Sequence, residues 1–106
     1  FAWSLQYWGD PGDGMYFIDA VPTLYPEFVR RAEIVKLYAQ RTGFDLSHLD
    51  YYRAFSWWKM ACIVEGSYGR QLAGAGGGMT AGRPERTARR VEDLLSMSAE
   101  AARGVI

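Results

Sequence analysis

The stretch from Leu46 to Leu72, LSHLDYYRAFSWWKMACIVEGSYGRQL, constrains this chain more than any other. Between Tyr51 and Val64 only Arg53, Ser56 and Lys59 are polar. They recur at every third residue, so on a helix they form one narrow, slowly drifting strip. The rest of the cylinder is aromatic or aliphatic, and a helix apolar nearly all round is buried on most sides. The run is too short, and too interrupted by charge, to cross a bilayer. The spacing predicts the central helix of a soluble helical domain over residues 47–72, with the other segments packed around it. Ser47 is a good N-cap, and Asp50 completes a variant of the capping box.

A chain of 106 residues is one domain at most. Rings make up 15% of it, which argues for a real core, or for a pocket or interface lined with aromatics. Twelve basic residues balance twelve acidic ones, so nothing in the net charge favours nucleic acid or an anionic membrane as partner. The single cysteine, Cys62, excludes an internal disulfide, and with the single histidine, His48, it cannot build a zinc site. No signal peptide is visible, which makes the cytoplasm the default location. The first residue is Phe rather than Met, so the sequence reads as trimmed or cut from something longer.

Residues 1–25 read as an arm and a turn. Phe1, Trp3, Leu5 and Tyr7 alternate with Ala2, Ser4, Gln6 and Trp8, the period of a strand. No second strand follows, so this arm needs a partner outside the chain. Gly9 to Gly14 is a turn cluster, and Asp10 before Pro11 is placed to cap a short helix or extended run over Met15–Ala20. Pro26 opens a predicted helix over 26–43, with Phe28, Ala32, Val35 and Ala39 on its inner face and Gly43 at its end. Residues 73–82 are rich in glycine and read as a flexible loop. Pro84 opens a last helix over 84–104, with Ala88, Val91, Leu95, Ala102 and Val105 on one face and Leu94 beside it. The predicted fold is mainly α, a three-helix core with an N-terminal strand-like arm.

The order of these pieces resembles the aminoglycoside phosphotransferase-like (choline kinase-like) family. Trp3-Ser4-Leu5, then Gly9-Asp10-Pro11, then Asp13 with Tyr16-Phe17 matches a segment of that family's large lobe. Arg41-Thr42-Gly43, Asp45-Leu46-Ser47 and the aromatic helix from Tyr51 resemble its C-terminal helices. The resemblance spans nearly all of this chain but only the last part of such a kinase, and the fold it implies is the C-terminal subdomain of the large lobe. ATP and magnesium are implied for an intact relative. The family's metal-binding aspartate should stand before the tryptophan, where this chain has Ala2, and magnesium wants oxygen ligands. The catalytic loop with its His-Gly-Asp and the lysine of the nucleotide lobe are not in this sequence. The resemblance therefore implies no catalytic residue, no metal ligand and no cofactor in this chain, which is inactive by itself. The acceptor-substrate wall of an intact relative would involve Tyr52, Phe55, Trp58, Lys59, Glu65 and Arg70. Trp3, Gly9, Asp10, Pro11 and Asp13 carry the structural motif.

Read without the resemblance, each feature has a plainer role. Asp10 and Asp13 cap turns and the following helix. His48 is a partly exposed residue at a helix start. Cys62 is a small core residue. The Gly74–Met79 run lacks both the last glycine of a dinucleotide loop and the lysine of a phosphate loop, so it is a connector. The arginines from Arg83 to Arg90, interleaved with Glu85, form a solvated face. Trp57 and Trp58 point about 100° apart, so one belongs to the core and the other to a pocket or a missing lobe. Two functions follow: a fragment or degenerate remnant of a small-molecule phosphotransferase, or a stand-alone helical module that binds a partner, an apolar ligand or a second copy through aromatic surface. The expected partners are a second copy or the missing lobe, through the arm, the central helix or both.

Overall fold

The computed structural model describes residues 1–74 and 83–104. The chain is mainly helical, with helix α1 at Arg31–Thr42, α2 at Leu49–Leu72 and α3 at Pro84–Ala102. Short 3-10 turns occupy Ser4–Tyr7 and Pro22–Leu24. Most of the loop expected over 73–82 lies outside the described residues.

The body is an antiparallel pair, α2 against α3. Leu94 and Ala101 of α3 are fully buried against Trp57, Met60, Ala61 and Val64 of α2. Ser98 Oγ donates to the Ala54 carbonyl at 2.8 Å and fixes the register. Phe17 is inserted edge-on to Trp57, with Trp3, Met15 and Ile18 beside it. The core thus consists of two helices and the N-terminal arm. The expected three-helix core is not what forms, because no residue of α1 is buried.

The arm is not a strand. Amide hydrogen bonds from Leu5 to Phe1, Gln6 to Trp3 and Trp8 to Leu5 close it into tight turns. A lone strand would leave these groups unpaired, and local bonds satisfy them. Leu5 and Gln6, adjacent in sequence, are both buried, which alternation forbids. No open edge remains there for a partner. Met15–Ala20 is irregular rather than helical.

Helix α1 begins five residues later than Pro26. The Arg30 guanidinium gathers the carbonyls of Thr23, Tyr25 and Phe28 at 2.9, 3.2 and 2.6 Å. Carbonyls turned toward that cation cannot serve a helical ladder, so the helix starts only after Arg30. Its inner stripe also shifts: Phe28 and Ala32 are exposed, and Val35 and Ala39 are half-buried. Gly43 ends it as expected, at φ +69°.

Helix α2 starts at Leu49, with His48 in the cap position and no side-chain cap. Ser47 is occupied elsewhere. Its amide and hydroxyl both donate to the Asp45 carboxylate, at 2.9 and 3.0 Å. Helix α3 is rotated from its expected face. Leu94 and Ala101 point inward, whereas Leu95 and Ala102 are exposed. Val105 lies outside the described residues. No described helix is long and apolar enough to cross a membrane.

Candidate functional site

Of the polar strip of α2, Arg53 and Ser56 face inward and Lys59 is exposed. Arg53 and Ser56 are 7% and 6% exposed, while Tyr51, Tyr52, Phe55 and Trp58 are 66%, 57%, 47% and 49% exposed. Ser56 satisfies its hydroxyl on the Tyr52 carbonyl at 2.8 Å. Arg53 lines a small cavity of about 60 Å³ with Gln6, Asp13, Arg31 and Glu100. Burial, and then the nearby Arg31 charge, pull the Arg53 pKa below the usual guanidinium range. Of the two tryptophans, Trp57 belongs to the core at 4% exposed and Trp58 does not.

A groove of about 400 Å³ opens where the arm meets α1 and α2. Phe1, Ala2 and Trp3 form one side, Tyr38 and the Phe44–Leu46 segment another, and Leu49, Tyr52, Phe55 and Ser56 the floor. Phe1 stacks on Tyr38 with centroids 3.9 Å apart, and Phe44 meets Tyr38 edge-on. Among the described residues the only charged side chain lining it is Asp45, whose carboxyl is held below its ordinary pKa by the two Ser47 hydrogen bonds. Rings around a single carboxylate suit an organic cation or an amphipathic amine.

The expected substrate-wall residues divide in two. Tyr52 and Phe55 line this groove, and Trp58 lies against Phe55 with centroids 5.8 Å apart. Lys59 sits over the Trp3 ring at 5.2 Å, a cation–π contact that anchors the arm to α2. Glu65 and Arg70 are exposed further along the helix and do not line the groove, and Arg70 donates to Ser67 Oγ at 2.9 Å.

The Gly-Asp-Pro turn is a clamp. Asp10 accepts the Arg31 amide at 3.0 Å, capping α1 from another segment, and lies 4.0 Å from the Arg31 guanidinium. Asp13 accepts from the Asp10 amide at 2.9 Å and pairs with the Arg31 guanidinium. Arg31 Nε donates to the Trp8 carbonyl and Trp8 Nε1 to the Val29 carbonyl. Gly9 is packed so closely that a Cβ there would meet Tyr16 at 2.7 Å and Val21 at 2.8 Å. Both carboxylates are therefore engaged in holding α1 to the turn. Sequence reasoning gave both a turn-capping role, but the helix that Asp10 caps is α1, not one over Met15–Ala20. Arg30 falls opposite the apolar stripe of its predicted helix, and the signal for Arg31 was a turn with two acids and no base of its own.

Two further residues, Cys62 and Arg90, were expected in another role, and His48 is where it was expected. Cys62 is exposed, not core, because the inward turn of Arg53 and Ser56 carries its face outward. His48 is exposed at the start of α2. Arg90 is not part of a solvated face: it donates to the Phe17 carbonyl and lies 5.4 Å above the Phe17 ring, tying the arm to α3. Arg86 remains an exposed ion pair with Asp19 at 3.7 Å. Among the described residues, no three of His, Cys, Asp and Glu come together as a metal site.

Comparisons with protein-family models, with curated proteins and with solved structures return no match for this chain.

Proposed function

We propose that this chain is the acceptor-side part of a small-molecule phosphotransferase of the aminoglycoside phosphotransferase-like kind, and that it has no catalytic activity by itself. One observation carries the reading. The residue before Trp3, where that family has its metal-binding aspartate, shares a single groove with Tyr52 and Phe55 of the proposed acceptor wall. These positions lie 50 residues and more apart in sequence, and the resemblance alone grouped them. The groove's size falls in the usual range for small ligands, about 300–1,000 Å³. In such an enzyme ATP, magnesium and the base would be supplied by other residues than those of this chain, with Ala2 unable to hold the metal. The test pairs two measurements on the purified chain. Magnesium-dependent ATP hydrolysis is expected to be nil. Titration with aminoglycosides and choline is expected to shift amide signals of residues 1–3, 38, 44–46 and 52–56. Measurable hydrolysis, or titrations that shift no groove signal, would overturn the reading.

A second reading is favoured by the exposed rings of α2. Tyr51, Tyr52, Phe55 and Trp58 leave an aromatic stripe in water that an interaction module would use. Lysine-free dye binding gives a direct check. An apolar fluorophore is expected to brighten on the native chain and to lose that signal in Phe55→Ser/Trp58→Ser.

A further inference from the structure

The groove takes one side from α1, and the two ends of that helix are held very differently. The first turn is pinned from outside. Asp10 accepts the Arg31 amide at 3.0 Å, Arg31 Nε donates to the Trp8 carbonyl at 3.1 Å, and Trp8 Nε1 donates to the Val29 carbonyl at 3.0 Å. At the far end the hydrogen bonds are local. Thr42 donates to the Tyr38 carbonyl, the Phe44 amide to Thr42 Oγ1, and Ser47 to Asp45. What meets α1 there is a ring. Phe1 lies flat on Tyr38, with centroids 3.9 Å and planes 8° apart. Among the described residues, Tyr38 is the only one of α1 that lines the groove. We infer that α1 is a movable wall of the groove, pivoted on the Asp10–Arg31 clamp and latched by the Phe1–Tyr38 stack, so that groove occupancy and α1 docking are coupled.

Three observations carry the inference. The first is burial. No residue of α1 is buried, whereas α2 and α3 share the core, so α1 belongs to the part of the chain that opens most cheaply. The second is the exit from the helix. Gly43 leaves it at φ +69° into open space, and Phe44 and Asp45 after it are exposed, so little resists a swing at that end. The third is the composition of the groove. Its other sides come from the arm, the segment after α1 and the floor of α2. When α1 leaves, Tyr38 leaves with it, and Phe1 loses the ring behind it. A ligand touching both Tyr38 and the α2 floor therefore favours the docked state, and docking favours the ligand in the same measure. Asp10 and Arg31 do not line the groove, yet they set how often its wall is in place. An undocked α1 also loses its hydrogen bonds, because a helix of 12 residues is marginal by itself in water. Its amide exchange thus reports docking.

The inference rests on the reading of this groove as an acceptor site, and amide exchange of the full chain tests the two separately. Without ligand, residues 38–42 should exchange faster than residues 60–64 of α2, and with a weaker dependence on urea, because less surface is exposed when α1 opens alone. Equal rates and equal slopes would mean that α1 opens only with the whole chain, and would overturn the movable wall. Phe1→Ala should accelerate residues 38–42 about 2–12-fold, the range a ring pair supplies. Tyr38→Phe keeps the ring and should match the native chain. A Phe1→Ala chain with unchanged exchange there overturns the latch. Choline or kanamycin is then added at about ten times the dissociation constant given by its groove shifts, and should slow residues 38–42 about elevenfold. Groove signals that move while residues 38–42 keep their rate overturn the coupling and leave the acceptor site standing. If neither probe moves a groove signal, the acceptor reading falls and the coupling with it.

Discussion

Asp10→Ala should release α1 while leaving the α2–α3 pair intact. The Asp10 carboxylate accepts the Arg31 amide at 3.0 and 3.3 Å, through its two oxygens. It is the side-chain cap of α1, since Arg30 in the cap position makes none. Losing such a cap costs about 0.5–2 kcal/mol. The flanking guanidinium groups lie 3.9 and 4.0 Å away on partly exposed side chains, so each pair adds about 0–1 kcal/mol. The full span is about 0.5–4 kcal/mol, and around its midpoint the loss is about 1–3 kcal/mol. Because no residue of α1 is buried, little else opposes its opening. Amide exchange of residues 36–42 should therefore accelerate about 5–150-fold, at tenfold per about 1.4 kcal/mol. Residues 60–64 of α2 should exchange at their original rate. Asp10→Asn keeps an acceptor oxygen and should fall between. Unchanged exchange in α1 would refute the capping role. Equal acceleration in α1 and α2 would refute the claim that α1 opens on its own.

Other perturbations follow from the same geometry. Gly9→Ala forces a Cβ against the Tyr16 ring and Val21; it should destabilise the chain by about 1–3 kcal/mol in a urea titration, and a loss below about 0.5 kcal/mol would show that the turn yields freely. Trp57→Ala should cost about 3–5 kcal/mol in the same assay, whereas Trp58→Ala, outside the core, should cost under about 1 kcal/mol; equal losses would contradict the assignment of faces. Ser47→Ala removes the hydroxyl donor to Asp45 and should raise the Asp45 pKa toward its ordinary value, followed by carboxyl carbon shifts; no rise would mean the hydroxyl bond is not a cause.

The long elements were legible in the sequence because their signals are local. Pro84 and the periodicity after it locate α3, and the aromatic run locates α2. What was not legible depended on distant partners. The spacing of Arg53, Ser56 and Lys59 gives a strip, but that the first two face the core depends on a cavity that Arg53 shares with Gln6, Asp13, Arg31 and Glu100, all distant in sequence. The same turn of the cylinder moved Cys62 and Trp58 outward. The first turn of α1 disappeared because Arg30 binds carbonyls that a propensity argument assigns to the helix. Of the residues lining the groove, only Tyr52 and Phe55 were grouped in advance; Phe1 was read as part of a strand-like arm, and Phe44 as a connector. Turn chemistry made Asp10 and Asp13 legible as capping groups, but that they brace α1 through Arg31 was not.

The inward polar strip also decides which way α2 is turned. A cylinder clad almost entirely in apolar side chains could be rolled about its axis through several orientations of similar burial, and hydrophobicity alone would choose poorly among them. Arg53 and Ser56 remove that freedom. Only one roll puts Arg53 at the cavity that Asp13 and Glu100 also line while keeping Trp57 on Phe17. Any other leaves a cation among methyl groups, a far larger cost than the burial gained by hiding one more ring. The helix accepts wet tryptophan and tyrosine on its outer side in return for a single orientation, and with it a fixed set of groups to offer the groove.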